Sequence, residues 1–242
     1  MIKDFDLLQR ANNDYTTIDL EHAEELAYRE LIDSIRYIPL GDECGVMGNI
    51  ANIITYKGRF YIQEEQFDRV FIYDDTGRCL KKIDNKGRGP GEYLRIESID
   101  INTEKEELML VDGMSDKLFF YDLDGNFKSI HSIRYFQTEN TLCLRDSVFL
   151  HISAPSQNFG NEGLYGYALV LSKGNENFLK GYRYLPLQVG YKGGGQIFKG
   201  YERSCYHPIY SDTIYQILSD TTYGPIFYFK IKNSSWEKYH NS

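Results

Sequence analysis

A segment that returns after 48 residues constrains this chain more than any other feature. Phe67-Asp68-Arg69-Val70-Phe71-Ile72-Tyr73-Asp74-Asp75-Thr76-Gly77 reappears as Ser115-Asp116-Lys117-Leu118-Phe119-Phe120-Tyr121-Asp122-Leu123-Asp124-Gly125. Asp68 and Asp116, Tyr73 and Tyr121, and Gly77 and Gly125 keep that spacing without a gap. A period of about 40–50 residues built from short strands predicts a β-propeller blade. The pattern fixes an architecture and names no activity.

Composition agrees with strands. Hydrophobic residues make up 42% of the 242, enough for a packed core rather than a disordered chain. With 21 Tyr, 14 Phe and only 6 Pro, the bias is toward residues that fit half-buried pleated surfaces. The net charge of −8 and pI near 5.2 exclude a general phosphate-binding surface, so no nucleic-acid partner is expected. No apolar run reaches the ~18 residues a transmembrane segment needs. The opening Met1-Ile2-Lys3-Asp4 has no apolar stretch of a signal peptide. Cys44, Cys79, Cys143 and Cys205 are scattered without a CxxC pair. Zinc sites need close ligand pairs and disulfide frameworks suit shorter chains, so buried free thiols are expected.

Three regions follow. Residues 1–33 read as an N-terminal extension, with one plausible helix over Glu21–Ile32. Residues 34–232 read as propeller blades, opened by a Ser34–Leu40 strand suited to closing the ring. Residues 233–242 form a polar tail. Within the blades, strands are predicted at Ile50–Tyr56, Arg59–Glu65, Arg69–Asp74 and Arg78–Asp84, then at Ile96–Asn102, Leu108–Asp112, Leu118–Asp122 and Phe127–Ile133. Looser patterns give Thr141–Arg145, Ser147–Ser153, Gly166–Ser172 and Phe178–Tyr184, and finally Ile197–Tyr201, Ser204–Tyr210, Thr213–Leu218 and Ile226–Lys232. About four blades fit, and the ring is either closed at four or incomplete. An incomplete ring leaves open edges and invites self-association.

Turn chemistry is specific. Asp74 with Gly77, and Asp122 with Gly125, suit turns in which Asp bonds its own backbone and Gly takes positive φ. Gly87, Gly89, Pro90 and Gly91 read as a rigid connection between the first two blades. With Arg88 and Glu92 that run offers an anion cradle, although it lacks the spacing of a phosphate-binding P-loop. Tyr191-Lys192-Gly193-Gly194-Gly195-Gln196 reads as a flexible loop.

Gly87-Arg88-Gly89-Pro90-Gly91-Glu92-Tyr93, preceded by Tyr73-Asp74-Asp75-Thr76-Gly77 and the Lys82-Ile83 strand, resembles the six-bladed β-propeller proteins of Bacteroidetes, related in architecture to NHL-repeat propellers. Ile38-Pro39-Leu40 is similar to that family's opening strand, and Asp212-Thr213-Ile214-Tyr215 to a later one. The resemblance runs from about Ser34 to Ile231 and implies an extracytoplasmic protein of the cell envelope, often lipid-anchored. The chain has no lipoprotein signal and lacks two blades expected after Lys232.

Glu64, Asp68, Asp112 and Asp116 occupy matching repeat positions; a calcium ion (Ca2+) at one rim and a repeat-encoded turn role both explain them, and no cofactor is otherwise expected. His22, His131, His151, His207 and His240 fall in no metal-ligand spacing, and no Gly-x-Ser-x-Gly elbow exists. Loop-borne tyrosines, Tyr93, Tyr165, Tyr167, Tyr182, Tyr184 and Tyr191, are candidates for stacking on a sugar or anchoring a protein. The sequence reading is therefore an all-β propeller of four-stranded antiparallel blades, acting as a non-enzymatic module that offers inter-blade loops to a protein or glycan partner. Arg88, Glu92, Tyr93, Asp112 and Tyr191 are its candidate ligand contacts. The alternatives are a propeller lyase or lactonase using calcium near the channel, and a fragment without independent function.

Overall fold

A computed structural model describes residues 6–7, 9–10, 14–22, 30, 32–133, 138–145, 147–152, 167–174, 177–184, 195–199, 203–208, 211–218 and 222–231. Three short strands come first: β1 (Asp6–Leu7), β2 (Gln9–Arg10) and β3 (Thr16–Asp19). Four antiparallel sheets follow in chain order. Blade 1 is β4 (Ile50–Tyr56), β5 (Arg59–Glu64), β6 (Arg69–Asp74) and β7 (Cys79–Ile83). Blade 2 is β8 (Ser98–Asn102), β9 (Glu107–Asp112), β10 (Lys117–Asp122) and β11 (Phe127–Ser132). Blade 3 is β12 (Asn140–Arg145), β13 (Val148–Ile152), β14 (Tyr167–Lys173) and β15 (Asn177–Tyr184). Blade 4 is β16 (Gln196–Lys199), β17 (Ser204–His207), β18 (Thr213–Ile217) and β19 (Thr222–Lys230).

The continuous apolar runs of β6 and β10 have a packing reason. Their sheets are covered on both faces, so the two sides of the pleat both need apolar residues. Tyr61, Val70, Ile72 and Ile83 of blade 1 meet Ile99, Ile101, Leu108, Leu110, Phe119 and Tyr121 of blade 2. Met109, Val111, Leu118 and Phe120 turn the other way, onto Cys143 and Phe149 of blade 3. Leu142, Leu150, Leu169 and Leu171 then meet Ile197, Tyr206, Tyr215 and Ile217 of blade 4. The first strands β4, β8, β12 and β16 line the inside of the resulting arc.

Local chemistry repeats with the blades. Asp68 and Asp116 take positive φ, 56° and 54°, in the turns between second and third strands, a conformation Asp tolerates better than most residues. Asp74 Oδ1 accepts hydrogen bonds from the Thr76 and Arg78 amides, and Asp122 Oδ1 from those of Asp124 and Asn126. Gly77 and Gly125 follow at φ 89° and 80°. In all four blades the register shifts between third and fourth strands, at Ile72/Tyr73, Phe120/Tyr121, Leu171/Ser172 and Ile214/Tyr215. Such bulges bend and twist the outer strand.

The arc does not close like a ring. β4 is largely exposed whereas β8 is wholly buried, and β4 does not pack against β16 as the other inner strands pack in series. The Ser34–Leu40 segment, expected to be a closing strand, forms no strand. Residues 36–49 instead run across the free face of blade 1 as a strap. Arg36 donates to the Asp75 carbonyl at 2.8 Å, the Gly41 amide to the Gly77 carbonyl at 2.8 Å, and the Tyr73 hydroxyl to the Gly41 carbonyl at 3.2 Å. Cys44 and Met47 pack on Ile62, Phe71, Tyr73 and Cys79. Cys44 and Cys79 form a disulfide with Cα atoms 6.0 Å apart. That corrects the expectation of four free thiols, which holds for buried Cys143 and Cys205. Sequence distance concealed the pair, because the strap brings together residues separated by 35 positions. Cross-linking a loop of that length stabilises the fold by about 4 kcal/mol.

The N-terminal strands add to outer edges, not to the inner rim. β1 pairs parallel to β15, while β2 and β3 pair parallel to β19. The expected helix over Glu21–Ile32 begins as a 3-10 turn at Leu20–His22; residues 23–29 and 31 lie outside the described residues, as does the 233–242 tail.

Two glycines separate backbone strain from strap packing. Gly58 (φ 69°) faces open space, whereas a Cβ on Gly77 (φ 89°) would collide with the Pro39 carbonyl. Gly58→Ala should lower stability by about 1 kcal/mol, the strain of positive φ alone. Gly77→Ala should lower it by clearly more, as urea midpoints will show; equal losses would mean that the strap yields freely.

Candidate functional site

The inner strands enclose an open cavity of about 1350 Å³. Its wall carries the carboxamides of Asn52, Asn140 and Gln196, with apolar Ile53, Ile54 and Phe198 beside them. Glu97 and Glu139 stand where β8 and β12 begin, and Lys57 and Lys199 at the opposite ends of β4 and β16. Burial raises the Glu97 carboxyl; Arg95 opposes this, and the charges of Asp112, Asp68 and Glu139 add to it.

Polar side chains stitch the wall together. Gln63 Nε2 donates to the Ile96 carbonyl at 3.0 Å, joining blades 1 and 2. Ser98 Oγ accepts from the Thr141 amide, and Asp100 Oδ2 from the Cys143 amide at 2.7 Å, joining blades 2 and 3. Lys199 reaches in from blade 4, its ammonium 2.9 Å from the Ile101 and Cys143 carbonyls and 3.4 Å from Asp100 Oδ2. Burial raises Asp100 despite that lysine. Cys143, under the same layer, is buried, and burial pushes its thiol up to about 12, away from the thiolate form.

One arrangement has the outline of a catalytic pair. His151 Nε2 lies 2.7 Å from Ser172 Oγ, and its Nδ1 lies 2.9 Å from Thr141 Oγ1. A nucleophile must also reach its substrate, and both His151 and Ser172 are buried inside blade 3. Their bonds are therefore a core network. Among the other described histidines, His207 Nε2 bonds the Ser211 carbonyl and His131 lies tilted against the Phe120 ring.

The sequence-selected ligand residues do not come together here. Tyr93 is 0% exposed: its ring packs edge-on to Phe119, and its hydroxyl donates to the Asp68 carbonyl and accepts from the Asn85 amide. It is a wedge between blades, not a surface contact, and burial raises its hydroxyl pKa. Asp112 is likewise buried, its carboxylate accepting from the amides of Leu94, Met114 and Ser115 and from the Ser115 hydroxyl. It pins a turn to the inter-blade connection. The glycine run binds its own anion: the Gly89 amide donates to Glu92 Oε2 at 2.7 Å, and the Gly87 amide to the Tyr93 carbonyl. Gly91 turns at φ 83°, Pro90 and Arg88 are exposed, and Tyr191 lies outside the described residues.

Of the repeat-matched candidates for calcium two hold ion pairs, while Glu64 Oε1 is buried without a hydrogen-bond partner among the described residues. Asp68 pairs with Lys86 and accepts from the Ile96 amide, and Glu64 pairs with Arg69 at 3.0 Å. Asp116 is raised by burial and by Asp112. Among the described residues, Asp19, Glu21 and His22 are the group whose ligand atoms lie within 4.8 Å of one another. Lys230 already sits 3.1 Å from Asp19 Oδ2 there.

The cavity residues escaped sequence reading because each is one polar position in an otherwise ordinary strand. Their only signal was placement on the first strand of successive blades.

Sheets set face to face around a shared inner cavity define the chain as an all-β propeller-type repeat protein. Over residues 15–241 it matches, and belongs to, the family described as domain of unknown function DUF4934. No curated protein matches it. Among solved structures it is similar to a Bacteroides fragilis protein described as a candidate exported protein, at 20% identity and TM-score 0.75, covering 89% of this chain and 60% of that one. It thus spans about 60% of that protein's length. More distant likenesses are a DUF4221 member of Bacteroides vulgatus (10% identity, TM-score 0.47, 71% and 55% covered) and the WD40 repeats of RRP9 (10%, 0.48, 74% and 51%). No described helix is long and apolar enough to cross a membrane.

His151 gives the fold a pH signature. Burial pushes its imidazole down to about 3, from an ordinary value of 6.5. Between these values the unfolded chain binds a proton that the folded chain refuses. Its stability contribution is thus complete above the unfolded value and lost as pH falls toward the folded one, at up to about 1.4 kcal/mol per pH unit. Glu97, Asp100 and Asp116, raised by burial, act in the opposite sense. Replacing His151 with Gln should flatten the acid limb relative to the parent, read from urea midpoints between those values. Parallel limbs would contradict the assignment.

Proposed function

We propose that this chain is a non-enzymatic binding module whose ligand site is the open cleft between β4 and β16, and that the ligand is an extended protein segment. The observation that carries this reading is the exposed inner wall. Asn52, Asn140 and Gln196 offer both donors and acceptors beside aliphatic Ile53 and Ile54, a combination that suits a peptide backbone with alternating side chains. Among the described residues the inner edge of β4 is unpaired and adds main-chain groups of the same kind. The loop surface expected from sequence is less suitable, because Tyr93 and Asp112 are consumed by the fold.

The chain's place in a six-bladed, NHL-like ring is part of the same proposal. A relative of similar fold is longer than this chain, and blade 1 carries an inter-blade face that no blade covers. An extracytoplasmic site fits the Cys44–Cys79 disulfide, since such bonds persist in oxidising compartments, and fits a relative described as a candidate for export.

Selection of a random peptide library on the immobilised full chain tests the cleft. Enriched peptides should bind with an affinity reduced at least about tenfold, or 1.4 kcal/mol, by Asn52→Trp, which fills the cleft, and unchanged by Arg88→Ala. Failure to enrich any peptide, or indifference to Asn52→Trp, would refute the proposal. Binding confined to a glycan array would replace a peptide ligand with a saccharide.

A further inference from the structure

Blade 1 carries a docking face of the kind that joins the other blades. Moving Phe60, Ile62, Phe71 and Tyr73 forward by the 48-residue period gives Leu108, Leu110, Phe119 and Tyr121, the side chains with which blade 2 seats on blade 1. The repeat therefore builds blade 1 to receive a preceding blade. The complementary half lies at the far end of the arc. Ile197, Tyr206, Tyr215 and Ile217 face blade 3, so the alternating neighbours Phe198, Ile214 and its register partner Phe227 fall on the outer side. Phe198 is 43% exposed, and Ile214 and Phe227 are half-buried. These two faces are the halves of one more interface of a type the molecule already contains three times.

The strap occupies the blade 1 half. Every third residue, Ile38, Gly41, Cys44 and Met47, turns at least partly inward, while Tyr37 and Val46 are 88% and 84% exposed. It covers the face with a single extended segment where a blade would bring a whole sheet. Beside a few hydrogen bonds and the packing of Cys44 and Met47, its hold is the Cys44–Cys79 bond. The chain's own blade 4 is kept from this face, because β4 and β16 stand across the central cavity.

We propose that residues 36–49 are a displaceable plug locked by the Cys44–Cys79 disulfide, and that releasing it lets blade 4 of a second copy of this chain seat on blade 1. The inference does not depend on the cleft's ligand. Release needs an external dithiol. Its thiolate attacks one sulfur, a mixed disulfide forms and closes to the cyclic disulfide of the reductant, and two electrons and two protons leave Cys44 and Cys79 as thiols. The contact is head to tail, so each added copy exposes a fresh pair of ends and assembly continues beyond a dimer unless the arc closes.

Sedimentation velocity on the full chain, with hydrogen exchange of the Gly41 amide, which bonds the Gly77 carbonyl, as the readout of strap release, tests this. The oxidised parent should sediment as a monomer with the Gly41 amide protected. The Cys44→Ser/Cys79→Ser variant should lose that protection and shift to dimers and larger species, and adding Phe198→Asp should return it to monomer. If the double serine variant does not fold, the folded parent treated with dithiothreitol is followed in its place. A released strap with a monomeric chain would overturn the proposal. So would association that Phe198→Asp fails to reverse, or a strap still protected after the disulfide is gone.

Discussion

A four-stranded sheet with apolar residues on both faces is unstable alone in water, and this need for a neighbour on each side governs the whole molecule. Fully burying one Phe, Ile or Leu is worth about 1.5–3 kcal/mol, and the interface between blades 1 and 2 alone contains twelve buried apolar residues. Blades 2 and 3 satisfy the requirement with blades. Blade 1 has a partner on one side, and there the chain supplies a strap and a disulfide. Terminal units of stacked repeats commonly need such a cap. The disulfide is thus a consequence of interrupted stacking rather than an isolated staple.

The same constraint distributes the polar groups. Buried polar atoms are tolerated where they find partners, and here they find them across blade boundaries. Gln63, Ser98, Asp100 and Lys199 each bond a residue of another blade. His151 is satisfied within its own blade by Thr141 and Ser172. Tyr93 shows both tendencies: its ring fills the interface and its hydroxyl fastens two loops. Asn52 and Gln196 on the inner wall stay exposed toward the cavity, which is why the proposed ligand site is the cleft and not the loops.

Most strands were legible because their chemistry is local. The Asp-x-x-Gly turns, the Phe60-Tyr61-Ile62 run of β5, and the 48-residue return specify most strands of blades 1 and 2. Blades 3 and 4 diverge in sequence but keep the strand pattern. The strap was illegible, since Ile38-Pro39-Leu40 has the alternation of a strand and only its position on blade 1 makes it a cover. The candidate site suffered similarly. Tyr93 lies in a loop and Asp112 at the end of β9, where sequence suggests access to a ligand, but packing between blades 1 and 2 and the amides of Leu94, Met114 and Ser115 bury them. Asn52, Asn140 and Gln196 lie in strands, where sequence suggests a wall, and the missing neighbour leaves that wall open.

The parallel strands at the outer edges carry a consequence for the order of events during synthesis. β1 through β3 are made before the blades, yet their sheet partners β15 and β19 are the fourth strands of blades 3 and 4. Until blades 3 and 4 exist, the opening residues have no edge to join. Blades 1 and 2 can assemble from sequence-local hairpins while the chain is still growing. These three segments are therefore among the last to settle, each waiting for an edge strand made well over a hundred residues later.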